Sequence, residues 1–186
     1  MAMSQSYGGW TLEMVHALPD DGNRYEVVDG ELLVTPAPTF AHQRAALLLA
    51  PLLASYAESI GLAVAFAPYE VRIAGPGEVQ PDIITFPFPS DPASTRFTAL
   101  EDLTLAVEIL SPNTAHEDRG RKRRLYQAGG VPEYWIVDLT RRVVERWRPD
   151  DDAAEVVTGL LSWKPNAREP ELVIDLPALF RGVFRD

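Results

Sequence analysis

The chain has 186 residues, of which 46% are hydrophobic and 24% are charged, a composition typical of one globular domain and not of a disordered segment. Its formal net charge of −10 argues against a general affinity for nucleic acid, because phosphate binding depends on Lys and Arg. It has no cysteine, which excludes disulfide bonds and thiolate metal sites.

The sequence gives no sign of a targeting segment. No stretch approaches the roughly 18 apolar residues of a membrane span. The first residues are rich in Ser and Gly and lack the basic and apolar regions of a secretory signal. We therefore expect a flexible tail over residues 1–9, a single domain over residues 10–186, and a cytoplasmic protein without membrane contact.

The first predicted elements are a short helix and a hairpin. The helix covers residues 11–18, and the hairpin joins residues 25–28 to residues 32–34 through Asp29-Gly30. The Asp-Gly pair is typical of the two-residue turns between antiparallel strands.

A long helix is predicted over residues 39–60, because apolar side chains recur there at helical spacing. Pro51 lies inside this stretch and should kink or divide it. Short β-prone runs and turns follow it. The further predicted strands are residues 64–66, 70–73, 83–86, 103–110, 134–137, 143–147, 155–158 and 172–174, and a last helical turn covers residues 177–180.

A second helix is predicted between the strands at residues 103–110 and 134–137. Thr114 and Glu117 have the spacing of a capping box at its start. Five of the six residues 119–124 are basic, so the acidic average hides a local basic patch. Strands that are partly joined by hairpins and partly separated by helices predict an α/β fold with a mixed central β-sheet flanked by helices.

Glu108 is the unusual residue of the predicted central strand, because strand alternation places it on one face with Ala106 and Leu110. A buried carboxylate is costly unless a metal or a basic side chain pairs with it. Asp82 is its natural companion, since two carboxylates on neighbouring strands can hold a hard cation such as Mg²⁺. Alternatively, Asp82 caps a turn and Glu108 pairs with an arginine.

Helical spacing puts Asp118, Lys122 and Tyr126 on one face of the basic helix. Tyr126 is one of the best core anchors of this helix, so the face should point inward and bring Lys122 to Glu108. A simpler interpretation is an i,i+4 ion pair between Asp118 and Lys122, which contributes little; both can be true. Other basic side chains of the helix can face water, namely Arg121, Arg123 and Arg124.

Four motifs occur in order along the chain: Pro81-Asp82, Val-Glu-Ile-Leu-Ser-Pro at 107–112, Asp118-x-x-x-Lys122-x-x-x-Tyr126, and Glu133-Tyr134-Trp135. Together they resemble the Uma-type family of bacterial restriction endonucleases, part of the PD-(D/E)XK nuclease superfamily, over roughly residues 10–148. The resemblance implies a restriction-endonuclease-like fold and a metal-dependent endonuclease that hydrolyses phosphodiester bonds, with DNA as the expected substrate. A homodimer is expected by the same analogy.

The resemblance also implies the site. Asp82, Glu108 and Lys122 would be catalytic, and Asp82 and Glu108 with the carbonyl of Ile109 would bind Mg²⁺ or Mn²⁺. The superfamily pattern places the lysine two residues after the acid, where this chain has Leu110. In the resembling family the following helix supplies the lysine instead, which matches Lys122.

Further residues could contact nucleic acid or support the site: His42, Asp118, Arg119, Arg121, Arg123, Arg124 and Tyr126. His42 lies at a position that the family favours, although a lone histidine is more often structural. Glu26, Glu31 and Glu70 are additional acids that nothing in the sequence ranks.

Two other interpretations stay open at this point. A nuclease scaffold that binds without cutting would fit the acidic net charge, and it need not bind metal. A structural domain with a buried Glu108–Lys122 ion pair would show those side chains in contact and Asp82 remote from both.

Overall fold

A computed structural model describes residues 9–75, 77–111 and 114–186. The predicted tail lies outside these residues except for Gly9. The helices are α1 (Leu12–His16), α2 (Phe40–Ser59), α3 (Ala115–Glu117), α4 (Arg123–Ala128) and α5 (Leu176–Phe184). A π-helical turn, Asp118–Lys122, joins α3 to α4, and the three pieces together are called the 115–128 helix.

The described residues also form strands in three sheets. The strands are β1 (Arg24–Val28), β2 (Glu31–Thr35), β3 (Leu62–Phe66), β4 (Glu70–Ile73), β5 (Gly77–Val79), β6 (Ile83–Pro87), β7 (Phe97–Ala99), β8 (Leu105–Ile109), β9 (Tyr134–Asp138), β10 (Val143–Trp147), β11 (Glu155–Val157), β12 (Leu160–Trp163) and β13 (Leu172–Asp175). A six-stranded sheet has the order β11-β10-β9-β8-β6-β3, and a five-stranded sheet has the order β2-β1-β5-β4-β7. β12 and β13 form a separate pair.

The six-stranded sheet is the centre of the fold. β8 and β9 are parallel, whereas the other neighbouring strands of this sheet are antiparallel. A parallel pair needs a long crossover, and the 115–128 helix provides it. The predicted mixed sheet with flanking helices is confirmed.

Each face of this sheet has its own apolar core. On one face, α2 and α5 pack on β8 and β9 around Leu53, Trp135 and Phe180. On the other face, the 115–128 helix and the five-stranded sheet pack on it, bringing Val28 and Tyr126 into one cluster with its strands. The five-stranded sheet therefore brings β1 close to β8.

The predicted hairpin is present as β1 and β2, paired in register from Arg24 opposite Thr35 to Val28 opposite Glu31. Its two turn residues have positive φ, 54° at Asp29 and 75° at Gly30. Glycine takes this conformation freely and aspartate tolerates it, which explains why this dipeptide forms the turn.

Several local predictions were wrong. α2 is not divided at Pro51, and its buried face, including Leu49 and Leu53, continues on both sides of the proline. The capping box does not form: Thr114 has φ −102° and ψ −14°, not the extended backbone of a cap, and its hydroxyl lies 3.1 Å from that of Ser111. The short strands β5, β7 and β12 were not predicted, and α5 is longer than one turn.

None of the helices in the described ranges combines the length and the apolar character needed to cross a bilayer.

Candidate active site

Asp82, directly before β6, lies beside Glu108 of the neighbouring strand β8. β6 and β8 pair with Ile83 opposite Val107, so the register places Asp82 across from Glu108. Asp82 Oδ2 accepts a hydrogen bond from the backbone N–H of Ile109 at 2.7 Å. Both carboxylates are buried, with 4% exposure for Asp82 and 1% for Glu108.

Lys122 enters the same place from the 115–128 helix. Its Nζ lies 2.9 Å from Glu108 Oε1, 2.9 Å from Glu26 Oε1 and 3.9 Å from Asp118 Oδ1. The inward face predicted for this helix is therefore correct, and the i,i+4 pair with Asp118 exists beside the pair with Glu108. Since Lys122 is only 2% exposed, its charge is balanced by these carboxylates and not by water.

The π-helical turn positions both charged residues of this face. Asp118 begins the turn and Lys122 ends it, and both are buried. Tyr134 donates a hydrogen bond from its hydroxyl to the carbonyl of Asp118 at 3.1 Å, and Tyr126 donates one to Glu108 Oε1 at 3.3 Å. Turns of this kind are frequent at functional sites.

Arg24 connects the acids, and sequence reasoning missed it. Its Nη1 lies 2.9 Å from Asp82 Oδ1, its Nη2 4.0 Å from Glu108 Oε2 and its Nε 3.8 Å from Glu26 Oε2. The purely structural interpretation requires Asp82 to be remote from the Glu108–Lys122 pair. Asp82 is instead joined to that pair through Arg24. The available signal was the Arg-x-Glu alternation in β1, which puts two charged residues on one face of a strand.

His42 approaches Asp82 from the start of α2. Thr39 caps this helix by accepting a hydrogen bond from the N–H of His42 at 3.2 Å. The His42 Nε2 atom lies 3.0 Å from Asp82 Oδ2, and its side chain is 13% exposed. His42 thus contacts the predicted metal ligand directly, whatever its further role.

The side chains described above form the charged cluster: Glu26, Asp82, Glu108, Asp118, Arg24 and Lys122. Four buried carboxylates face two permanent cations, which leaves two negative charges in excess when all four acids are ionised. Two buried carboxylate oxygens, Glu26 Oε2 and Asp118 Oδ1, have no hydrogen-bond partner among the described residues. Oxygen ligands with excess negative charge are the donor set that Mg²⁺ and Mn²⁺ take, so the residues fit a divalent cation.

The pKa values of the acids reflect their burial and their neighbours. Burial raises the pKa of Glu108 to about 8, since Lys122 offsets the burial only in part. Burial likewise raises the pKa of Asp118 to about 6. For Asp82, burial is outweighed by His42, by Arg24 and by the Ile109 amide, and its pKa falls to about 2.

Lys122 keeps its proton. Burial alone would lower its pKa, but Glu108, Glu26 and Asp118 outweigh burial and raise the pKa above its ordinary value. At neutral pH the cluster therefore contains a charged lysine, an ionised Asp82, and a Glu108 that binds a proton readily.

A cavity of about 220 Å³ adjoins the cluster. Glu26, Asp118 and Lys122 line its inner part, while residues of β2 and of the start of the 115–128 helix line the rest. Because Val34 in this lining is exposed, the cavity connects Glu26, Asp118 and Lys122 to the surface, whereas Asp82 and Glu108 are not in its lining.

The arginines of the 115–128 helix are less free than predicted. Arg119 binds Asp138 and Glu145 at 2.7 and 2.8 Å, and Arg121 lies 2.7 Å from Glu31. Arg123 donates to Gln127 and stacks over the ring of Trp147. Arg124 is exposed and has no ion pair within the described part of the chain.

Comparison with known proteins agrees with the resemblance seen in the motifs. The Uma2 family model, described as "Putative restriction endonuclease", matches residues 12–179. No curated protein matches the chain. The fold is similar to the crystal structure of a "putative nuclease belonging to DUF820" from Anabaena variabilis, with a TM-score of 0.78 and 18% sequence identity, over 94% of this chain and 99% of that chain. At this identity the structural likeness shows the fold alone, whereas the family match spans nearly the whole sequence, and the chain therefore belongs to the Uma2 family of restriction-endonuclease-type proteins.

Proposed function

We propose that the protein is a metal-dependent endonuclease that hydrolyses phosphodiester bonds in DNA. The observation that supports this most is the convergence of Asp82, Glu108, Glu26 and Lys122 in one buried cluster whose negative charge exceeds its positive charge. Such an arrangement lowers stability unless a cation binds, so it is unexpected in a purely structural domain.

Asp82 and Glu108 are the proposed ligands of Mg²⁺ or Mn²⁺, with the carbonyl of Ile109 as a third. The unpartnered oxygens of Glu26 and Asp118 are available as further acceptors. A cation bound there would lower the pKa of a water molecule and polarise the scissile phosphate.

The protein's own residues would prepare the site for this chemistry. Lys122, which stays protonated among three carboxylates, would orient the attacking water or stabilise the charge developing on phosphate. His42 and the Ile109 amide hold Asp82 in its ionised form. Exposed Arg124 would contact the nucleic-acid backbone without reading sequence.

A second candidate function is a binding module that keeps the scaffold but does not cut. Arg24 favours it, since its guanidinium supplies positive charge to Asp82 and Glu108 without any metal. The two functions differ in whether a divalent cation binds the cluster and whether DNA is then cleaved.

The test is nicking of supercoiled plasmid DNA in Mg²⁺, in Mn²⁺ and in EDTA. We expect cleavage with either metal and none in EDTA, and losses of about 100-fold or more in Asp82→Asn, Glu108→Gln and Lys122→Met. Glu101→Gln and Lys164→Met are matched controls, because both side chains are exposed and neither belongs to the charged cluster.

Absence of metal-dependent cleavage of any DNA or RNA would reject the enzyme and favour the binding module. Cleavage that persists in EDTA would reject the role of the metal.

A further inference from the structure

A second group of ionisable side chains lies on the opposite face of the five-stranded sheet. β5 lies between β1 and β4, with Glu78 opposite Val27 on one side and Arg72 on the other. Successive residues of a strand face opposite sides, so Glu78 points away from the face on which Glu26 joins the charged cluster. α1 packs over this outer face, where Val15 is buried.

Glu78 is a buried carboxylate with one oxygen that accepts no hydrogen bond from the described residues. It is 1% exposed, and its Oε2 atom has no hydrogen-bond partner among residues 9–75, 77–111 and 114–186. Its closest cationic candidate is His16, whose Nε2 lies 3.6 Å away, beyond hydrogen-bonding distance. His16 is thus near enough for an ion pair when it is protonated, but it gives this oxygen no hydrogen bond. Because a buried carboxylate oxygen without a hydrogen bond is costly, this oxygen indicates a ligand that the described residues do not supply.

Arg72 does not supply it either. Although Arg72 lies opposite Glu78 in the ladder, no ion pair joins them in the described structure, and its guanidinium lies 3.5 Å from the centre of the Phe97 ring. The arginine is thus engaged with an aromatic face and leaves the Glu78 oxygen open.

Glu70 and His16 complete a set of three donors. One donor atom from each of His16, Glu70 and Glu78 lies within 4.8 Å of the other two. Ligands of a tetrahedral metal ion, at bonds of about 2.0–2.2 Å, lie roughly 3.3–3.6 Å apart. The His16–Glu78 distance of 3.6 Å fits this spacing already, and His16, with a side chain 49% exposed, is free to close further.

We propose that His16, Glu70 and Glu78 form a second metal site, which takes a divalent transition metal such as Zn²⁺. One imidazole nitrogen and two carboxylate oxygens suit Zn²⁺ and Co²⁺, and the imidazole disfavours Mg²⁺ and Ca²⁺. The metal ties the last turn of α1 to β4 and β5, so it stabilises the sheet whose other face carries Glu26. Its role is structural and independent of the nuclease chemistry.

The experiment is a Co²⁺ titration of the full chain, followed by the visible absorption of the bound ion. It is carried out in the Asp82→Asn/Glu108→Gln background and in excess Mg²⁺, so that the charged cluster does not contribute. We expect one Co²⁺ per chain, and an affinity at least about 100-fold lower in His16→Gln and in Glu70→Gln. The matched controls are His116→Gln and Glu58→Gln, both at exposed positions, which should bind like the parent.

Thermal unfolding with and without Zn²⁺ provides a second measurement. Zn²⁺ should raise the Tm of the parent and of His116→Gln, and should leave the Tm of His16→Gln unchanged. The proposal is overturned if Co²⁺ does not bind, if excess Mg²⁺ displaces it, or if His16→Gln binds as tightly as His116→Gln. It is also overturned if the Tm of His16→Gln lies below that of the parent by the same amount with and without Zn²⁺. His16 would then stabilise the fold only through its ion pair with Glu78.

Discussion

Lys122 contacts three carboxylates, those of Glu108, Glu26 and Asp118, and Arg24 is the second permanent cation near them. The acids outnumber the cations, so the arrangement opposes folding and favours binding of a positive ion. Functional sites commonly retain such a cost, and stability and activity then respond to mutation in different ways. Substitution of a cation in the cluster should therefore change stability differently from substitution of an acid.

We predict that Lys122→Met lowers the free energy of unfolding by about 3–5 kcal/mol, because it leaves buried carboxylates without their cation. Above the Glu108 pKa of about 8, where this side chain is ionised, Glu108→Gln removes one excess negative charge at nearly constant volume. At such a pH it should change the free energy of unfolding by about 1 kcal/mol or less, or raise it. Urea unfolding in EDTA measures both. Equal destabilisation by the two substitutions would show that the cluster has no excess negative charge.

The raised pKa of Glu108 also predicts how stability depends on pH when metal is chelated. Its pKa is about 8 in the folded protein against an ordinary value of 4.5, so the folded state holds an extra proton between these values. The contribution of Glu108 to the free energy of unfolding is therefore largest below about pH 4.5, and it falls as the pH rises toward 8. Asp118, with its pKa raised to about 6, acts in the same direction.

Urea unfolding in EDTA at several pH values between about 5 and 8 measures this dependence. The parent protein should lose stability across the range, and Glu108→Gln should lose less. Identical slopes for the two proteins would contradict the raised pKa of Glu108.

At the scale of elements, the 115–128 helix has two separate tasks. Its inner face carries Lys122 and Tyr126 to Glu108, as helical spacing predicted. Its outer face was expected to be free for nucleic acid, yet Arg119 fastens the helix to β9 and β10 through the buried acids Asp138 and Glu145. The helical spacing of residues shows which face of the helix points inward, but it does not show which strands lie beside the other face.

The variants Arg119→Gln and Arg124→Gln should distinguish the arginine that stabilises the fold from the arginine that contacts DNA. Arg119→Gln should lower the free energy of unfolding by about 1–2 kcal/mol, because it leaves buried acceptors, although solvent screens a guanidinium that is 37% exposed. Arg124→Gln should leave stability within about 0.5 kcal/mol and should reduce the salt dependence of DNA binding. Urea unfolding and fluorescence anisotropy with a DNA duplex measure the two effects. A larger loss of DNA binding from Arg119→Gln than from Arg124→Gln, with stability unchanged, would reverse this assignment.

At the scale of the molecule, local signals predicted the parts that local chemistry determines. The Asp29-Gly30 turn, the apolar strand around Glu108 and the inward Lys122 all follow from a few neighbouring residues. Arg24 did not, since its contact with Asp82 joins residues 58 positions apart and depends on the five-stranded sheet packing onto the six-stranded one. The same packing ranks Glu26 above Glu31 and Glu70, which the sequence alone left equal.

The two layers also explain why the candidate site is buried and why a cavity borders only one side of it. The charged side chains come from β1, from the residue before β6, from β8 and from the 115–128 helix. β2 and the start of that helix border the cavity beside them. No single element holds the cluster together. A ligand that links these elements therefore stabilises the whole fold, and binding should be visible in its thermodynamics.

The charged cluster should bind one divalent cation. Titration calorimetry with Mg²⁺ near pH 7, in two buffers of different ionisation enthalpy, tests it most directly, because a cation that binds Glu108 must displace its proton. We expect one Mg²⁺ to bind per chain with release of about one proton, and this binding to be lost in the Asp82→Asn/Glu108→Gln variant. Absence of Mg²⁺ binding to the parent protein, or equal binding by that variant, would contradict it.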